Sequence, residues 1–216
     1  MRTPCLLLGH SFVRSLKEYL TEHPLRISGQ GLKLHYTFKP GSDTLQIHEM
    51  TKLIPKDRYE VIFLQIGGND ASSRSRNLQA DSHMVAQEIA DNILNIVRDL
   101  KPLLKLNGHI VIGALLYRWI TPMTKRRRWI KTVSHAEKCN DIIRMVNNII
   151  KMEVDNNTVF FWKTKGFDDS FKEKLADGTH LTHYAMKKWV YKGVISGILT
   201  TLGKKSKSDH ITKQFL

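Results

Sequence analysis

The stretch "CLLLGHSFVRSL", residues 5 to 16, contains an apolar run, a turn of small and polar residues, and the start of a helical pattern. The apolar run at 5–8 predicts a buried strand, and apolar residues at helical intervals over 12–22 predict an amphipathic helix. Ser11 falls in the turn between them. A serine at such a turn either caps the helix or is a nucleophile at the edge of a sheet.

The same alternation of strand and helix continues along the chain. Further strand-like runs lie at 32–38, 61–66, 110–116 and 159–162, and further helical patterns lie at 81–106, 131–154 and 183 to about 202. Strands that alternate with helices predict parallel crossovers, and hence an α/β fold with a doubly wound parallel sheet of about five strands. Ligands of such sheets bind at the carboxyl ends of the strands, so the residues that follow each strand are the first candidates for a site.

The length of 216 residues suits one well-buried domain, which we expect over residues 1–203, followed by a basic C-terminal tail at 204–216. Lys and Arg number 34 against 20 Asp and Glu, which gives a formal charge of +14. This excess favours non-specific contact with nucleic acid or with an anionic membrane surface. It carries no information about the fold.

The two cysteines, Cys5 and Cys139, fit no metal-ligand spacing and give no sign of a disulfide framework. We therefore expect no metal site and a reducing compartment. The apolar runs are too short for a signal-peptide core or a membrane span, so the sequence predicts an intracellular, cytoplasmic protein.

Catalysis by a serine requires a base that removes its proton, and that base needs an acceptor that orients it. In "ADGTHLT", residues 176 to 182, Asp177 precedes His180 by three residues, so one tight loop can bring the carboxylate to the nearer ring nitrogen. Acyl transfer also needs donors for the oxyanion. The candidates are the backbone N–H of Ser11, the backbone N–H of Gly41 in "KPGSDT" and the side-chain amide of Asn69 in "IGGND".

Four blocks in order, "GHSFVRSL", "PGSDT", "IGGND" and "DGTHLT", resemble the sequence blocks of the SGNH, or GDSL-like, hydrolase family. Each block alone is a weak signal, but four in order at predicted strand ends are specific. The resemblance covers the chain up to about residue 202. The Gly-x-Ser-x-Gly elbow of the α/β-hydrolases is absent, which favours the SGNH interpretation over its main catalytic rival.

The resemblance implies a role for each matching residue. Ser11 would be the nucleophile, His180 the general base and Asp177 its orienting carboxylate, with Ser11, Gly41 and Asn69 forming the oxyanion hole. It also implies a flavodoxin-like, three-layer α/β/α fold, and hydrolysis of esters without a cofactor, with short acyl or O-acetyl groups on a small molecule, lipid or sugar as the substrate.

Two positions depart from the family pattern. His10 stands where the family usually has an aspartate beside the nucleophile, and Ala185 stands where glycine is common after the catalytic histidine. We expect both to be tolerated, because neither changes Ser11 or the main chain around it.

The stretch "YRWITPMTKRRRWIK", residues 117 to 131, follows the fourth predicted strand. It is either a solvated loop or a lid. In a lid, Arg126, Arg127 and Arg128 would attract an anionic substrate or a nucleic-acid backbone, and Trp119 or Trp129 would cover the acyl pocket.

A second hypothesis comes from a different functional class. The chain would be an SGNH-folded binding module for nucleic acid or an anionic membrane, with weak or lost catalysis. The resemblance to the SGNH family implies that such a module could belong to a mobile-element protein. A third hypothesis makes the chain one domain of a larger protein. The oligomeric state does not follow from the sequence.

Overall fold

The computed structural model describes residues 2–25, 31–121, 130–168 and 174–203. A five-stranded parallel sheet forms the centre, in the order β2-β1-β3-β4-β5. Its strands are β1 (Thr3–Gly9), β2 (Leu32–Phe38), β3 (Tyr59–Gln65), β4 (Leu104–Gly113) and β5 (Val159–Trp162). The α/β fold with about five strands that the sequence predicts is confirmed. The predicted tail, 204–216, lies outside the described residues.

Helices cover both faces of this sheet. They are α1 (Ser11–Glu22), α2 (Thr44–Thr51), α3 (Gly68–Arg74), α4 (Ser82–Leu100), α5 (Val133–Glu153), α6 (His183–Lys188) and α7 (Ser196–Thr201), with a π-helical segment, Trp189–Ile195, between the last two. Right-handed crossovers place α1 on one face and α2, α4 and α5 on the other, which gives three layers. The packing agrees: α4 contacts α2 and α5, while Phe12 of α1 contacts Trp189.

The central strands β1 and β3 are apolar runs because both faces of the sheet are buried there. Leu6, Leu7 and Leu8 of β1 are each at most 1% exposed. Within the ranges described above, no helix is long and apolar enough to cross a membrane.

The predicted helix at 81–106 is too long. Helix α4 ends at Leu100, and the 3-10 turn Lys101–Leu103 leads directly into β4. Pro102 lies in that turn, and a proline supplies no backbone N–H to continue a helix. The strand predicted at 110–116 accordingly begins earlier, at Leu104, and ends at Gly113.

The site edge of the sheet depends on Gly9, the last residue of β1. A Cβ on Gly9 would lie 2.4 Å from the carbonyl oxygen of Gln65 at the end of β3. No side chain fits in that space. The glycine therefore lets the ends of β1 and β3 lie close together, immediately before Ser11.

Candidate active site

Ser11, His180 and Asp177 meet at the carboxyl edge of the sheet. Ser11 is the first residue of α1, and its Oγ lies 3.0 Å from Nε2 of His180. On the other side of the ring, Nδ1 of His180 lies 2.9 Å from Oδ2 of Asp177. The structure thus brings together the three residues that the sequence predicts as nucleophile, base and orienting carboxylate.

The loop that carries His180 is held by its own hydrogen bonds. Oδ1 of Asp177 accepts the backbone N–H groups of Thr179 and His180, at 3.0 and 2.7 Å. The backbone N–H of Ala176 donates to the carbonyl of His180 at 2.7 Å. Both carboxylate oxygens of Asp177 are therefore engaged, and the ring of His180 is fixed against Ser11.

The charge state of Asp177 follows from these bonds. Burial raises the pKa of Asp177, but hydrogen bonds from the ring and backbone of His180 outweigh burial and lower that pKa to about 2. The ionised carboxylate favours a proton on Nδ1 of His180. Nε2 is then free to accept the proton of the Ser11 hydroxyl.

A cavity of about 570 Å³ opens beside this chain of hydrogen bonds. It is lined by Ser11, Arg14, Ser15, Pro40, Gly41, Asn69, Ser72, Ser73, Arg76, Arg118, Thr179 and His180. All three predicted oxyanion donors, Ser11, Gly41 and Asn69, are among them. Ser11, His180 and the predicted donors consequently face one space.

Asn69 and Gly41, two of the predicted oxyanion donors, are positioned by the loops around them. Nδ2 of Asn69 donates to the carbonyl of Ser42 at 2.8 Å, and an amide nitrogen has a second N–H to offer. Gly41 has a φ of +79°, a conformation that favours glycine. The backbone N–H and the hydroxyl of Thr44 both donate to Oδ1 of Asp70, at 3.0 and 2.8 Å, and join the loop after β2 to α3.

His10, beside the nucleophile, is a buried neutral ring. It is 2% exposed, and neither ring nitrogen has a hydrogen-bond partner among the residues that the structure describes. Burial, then the charges of Arg118 and His180, lower the pKa of His10 to about 3. His10 therefore contributes no charge to the site near neutral pH.

Of the residues that the sequence assigns to a possible lid, the structure describes Trp119. Trp119 is half-buried, its backbone N–H donates to the carbonyl of Gly178, and it is not among the lining residues that the structure describes. Arg126, Arg127, Arg128 and Trp129 lie outside the described residues.

Sequence reasoning gave no role to Arg118, which lines the cavity and is 2% exposed. Its place just after the fourth strand was the available signal. That place alone does not show that its side chain is buried. In the part of the chain that is described, no group of His, Cys, Asp or Glu is arranged to hold a metal ion.

Several solved structures with the same fold carry the names of hydrolases. They include the lipase Lip_vut3 from a goat rumen metagenome (TM-score 0.67, 12% identity, 90% of this chain and 97% of that chain). They also include the acetyl xylan esterases AlAXEase (TM-score 0.61, 10% identity, 89% and 98%) and Axe2 from Geobacillus stearothermophilus (TM-score 0.57, 15% identity, 93% and 94%). At these identities the likeness shows the fold alone.

Sequence comparison gives the family. No curated protein matches the chain. The model of the GDSL-like lipase/acylhydrolase family matches residues 9–192, a range that contains Ser11, Gly41, Asn69, Asp177 and His180. Since this match covers most of the chain, the chain belongs to the GDSL-like lipase/acylhydrolase family.

Proposed function

We propose that the chain is a serine esterase that hydrolyses esters of short acyl groups, acetyl above all, through an acyl-enzyme intermediate. The observation that carries the proposal is the hydrogen-bonded chain from Ser11 Oγ through His180 to Asp177, at 3.0 and 2.9 Å. A hydroxyl, a base and an orienting carboxylate in this order form the arrangement that activates a serine.

The first half of the reaction transfers the acyl group to the enzyme. Nε2 of His180 accepts the hydroxyl proton while Oγ of Ser11 forms a bond to the ester carbonyl carbon. The backbone N–H groups of Ser11 and Gly41 and the amide of Asn69 hold the oxyanion. As the tetrahedral intermediate collapses, the bond to the alcohol oxygen breaks and His180 donates the proton to that oxygen.

The second half regenerates Ser11. A water molecule attacks the acyl carbonyl carbon while His180 accepts one of its protons. The bond between that carbon and Oγ then breaks, and the proton returns to Ser11. One ester and one water give one alcohol and one carboxylic acid.

The acyl preference is the finer part of the proposal. Two of the structural neighbours carry the name acetyl xylan esterase, which supports testing acetyl esters first. The binding-module hypothesis rests on the formal charge of +14, and the described residues provide no observation that favours it over hydrolysis.

The test is hydrolysis of 4-nitrophenyl acetate by the wild-type chain and by two serine variants. Ser11→Ala is expected to lose roughly 10⁶-fold in kcat, the loss typical of removing the nucleophile of a serine triad. Ser82→Ala, at the start of α4 and away from the cavity, is expected to retain the wild-type rate. Circular dichroism verifies that each variant is folded. A folded Ser11→Ala variant with wild-type turnover would contradict the proposal.

A further inference from the structure

Arg118 is a buried cation beside the nucleophile. Its Nε has no hydrogen-bond partner among the residues described, and its side chain borders the cavity that Ser11 and His180 line. Cζ of Arg118 lies 5.8 Å from the centre of the Phe12 ring. A Cβ on Gly68 would lie 2.7 Å from Nη2, so the guanidinium occupies space that only a glycine at position 68 leaves open.

The backbone of Arg118 is held from both sides. Oδ1 of Asn140 on α5 accepts the N–H of Arg118 at 2.8 Å, and Nδ2 of Asn140 donates to the carbonyl of Arg118 at 2.8 Å. The next residue, Trp119, donates its N–H to Gly178 in the loop of the base at 2.9 Å. The cation is thus fixed relative to His180 before any substrate binds.

The cavity has an excess of positive charge. Three arginines, Arg14, Arg76 and Arg118, are among its described lining residues, and no Asp or Glu is. Nε of Arg14 lies 3.5 Å from Oε1 of Glu18, and both side chains of this pair are exposed. Among the described residues, Cys139 and Asp177 interact electrostatically with Arg118. Burial raises the pKa of the Cys139 thiol, which keeps it neutral, and the oxygens of Asp177 already accept three hydrogen bonds from the loop of His180.

His10 does not neutralise the positive charge of Arg118. Its ring and the guanidinium of Arg118 pack against the same ring of Phe12. The centre of the Phe12 ring lies 5.7 Å from the centre of the His10 ring and 5.8 Å from Cζ of Arg118. A neutral imidazole there is no counter-ion, and among the described residues Nε of Arg118 has no hydrogen-bonded anion. A buried cation without a hydrogen-bonded anion is costly, and a bound anion would reduce that cost.

We propose that this cavity selects esters that carry an anionic group, a carboxylate or a phosphate, and that Arg118 is the residue that recognises it. The inference rests on the proposed function, because it names the substrate class of the same site. A guanidinium presents a planar fork of N–H donors that matches carboxylate and phosphate oxygens, and burial strengthens such bonds. The exposed Arg76 and Arg14 would attract the anion towards the cavity.

The experiment compares three acetyl esters that release a substituted phenol. Methyl 4-acetoxybenzoate is neutral, 4-acetoxybenzoate carries a carboxylate and 4-acetoxyphenyl phosphate carries a phosphate. For each ester, kcat/KM is divided by the rate constant of its hydrolysis by hydroxide, which removes differences in intrinsic reactivity. We expect this normalised kcat/KM to be at least tenfold higher for one or both anionic esters than for the neutral ester. The anionic ester with the higher ratio to the neutral ester identifies the preferred anion.

Arg118→Met is expected to reduce that ratio at least tenfold, because the neutral ester makes no charged contact to lose. The matched control is Arg58→Gln. Arg58 is exposed and precedes β3, so it lies at the opposite edge of the sheet, and its replacement should leave the ratio unchanged. Should Arg118→Met fail to fold, His10→Asp replaces it, since a carboxylate beside the guanidinium would compete with the substrate anion and lower the ratio.

The two proposals fail in different ways. Equal normalised rates for all three esters, with hydrolysis lost in Ser11→Ala, would overturn the anion preference and leave the esterase intact. A preference that persists in Arg118→Met, or in His10→Asp if that variant is needed, would overturn the role of Arg118. A folded wild-type chain that hydrolyses none of the esters would overturn the proposed function itself.

Discussion

Replacing Asp177 with asparagine should disable the base without disturbing its loop. Oδ1 of Asp177 accepts the backbone N–H groups of Thr179 and His180, so the amide oxygen of an asparagine will occupy that position. The amide nitrogen must then face Nδ1 of His180, where Oδ2 now lies at 2.9 Å. Nδ1 becomes an acceptor, the ring proton moves to Nε2, and Nε2 can no longer accept the proton of Ser11.

The expected loss is large because the wrong tautomer removes general-base catalysis. For Asp177→Asn we expect kcat to fall by roughly 10⁴, the loss measured for this change in a serine triad. At about 1.36 kcal/mol per factor of ten, that loss corresponds to about 5.4 kcal/mol of activation free energy. The assay is steady-state hydrolysis of 4-nitrophenyl acetate, with KM expected to change little.

Asp155→Asn is the matched control. Oδ1 of Asp155 also accepts backbone N–H groups, those of Asn157, Thr158 and Val159, but it does so before β5, at the edge of the sheet away from the site. The control should keep the wild-type kcat. The reasoning would be refuted if Asp177→Asn retained kcat within tenfold of wild type, or if Asp155→Asn lost as much activity.

Three further variants test other contacts of the site. Asn69→Ala should raise the activation free energy by about 3 kcal/mol, seen as a fall of roughly 10²- to 10³-fold in kcat, because one oxyanion donor is lost. His10→Leu should make the free energy of unfolding, measured with urea, depend less on pH on the acid side. Between pH 6.5 and about 3, the unfolded wild-type chain binds a proton at His10 that the folded chain does not. The wild-type free energy of unfolding therefore falls by up to about 1.4 kcal/mol for each unit that the pH drops in this range, and the variant lacks this contribution. Asn140→Ala should lower the free energy of unfolding by about 2–4 kcal/mol, because two buried backbone groups of Arg118 lose their partner. The matched control is Asn147→Ala, which removes the partner of the backbone N–H and carbonyl of Leu115 and should cost as much stability. Of the two variants, only Asn140→Ala should also weaken the preference for anionic esters.

The sheet could be predicted from the sequence because fully buried parallel strands leave continuous apolar runs. The short helices could not. Helix α2 has 8 residues and α3 has 7, which is about two turns, so neither shows a hydrophobic period. The cap of α2, Asp43, whose side chain accepts the N–H of Gln46, was the available signal for that helix.

The meeting of Ser11, Asn69 and His180 was predictable because parallel strands bring their carboxyl ends to one edge. The burial of Arg118 was not. It depends on Asn140, 22 residues further along the chain, and on the absence of a side chain at Gly68. Contacts of that kind leave no pattern in a single sequence.

Covalent labelling with a fluorophosphonate probe tests most directly whether Ser11 is an activated nucleophile. If Ser11 is activated by His180, the folded wild-type chain is labelled at one site, on the peptide that contains Ser11. Ser11→Ala is then not labelled, and His180→Ala is labelled far more slowly. A folded wild-type chain that takes up no label, or a Ser11→Ala variant that is labelled as fast as wild type, would contradict this activation.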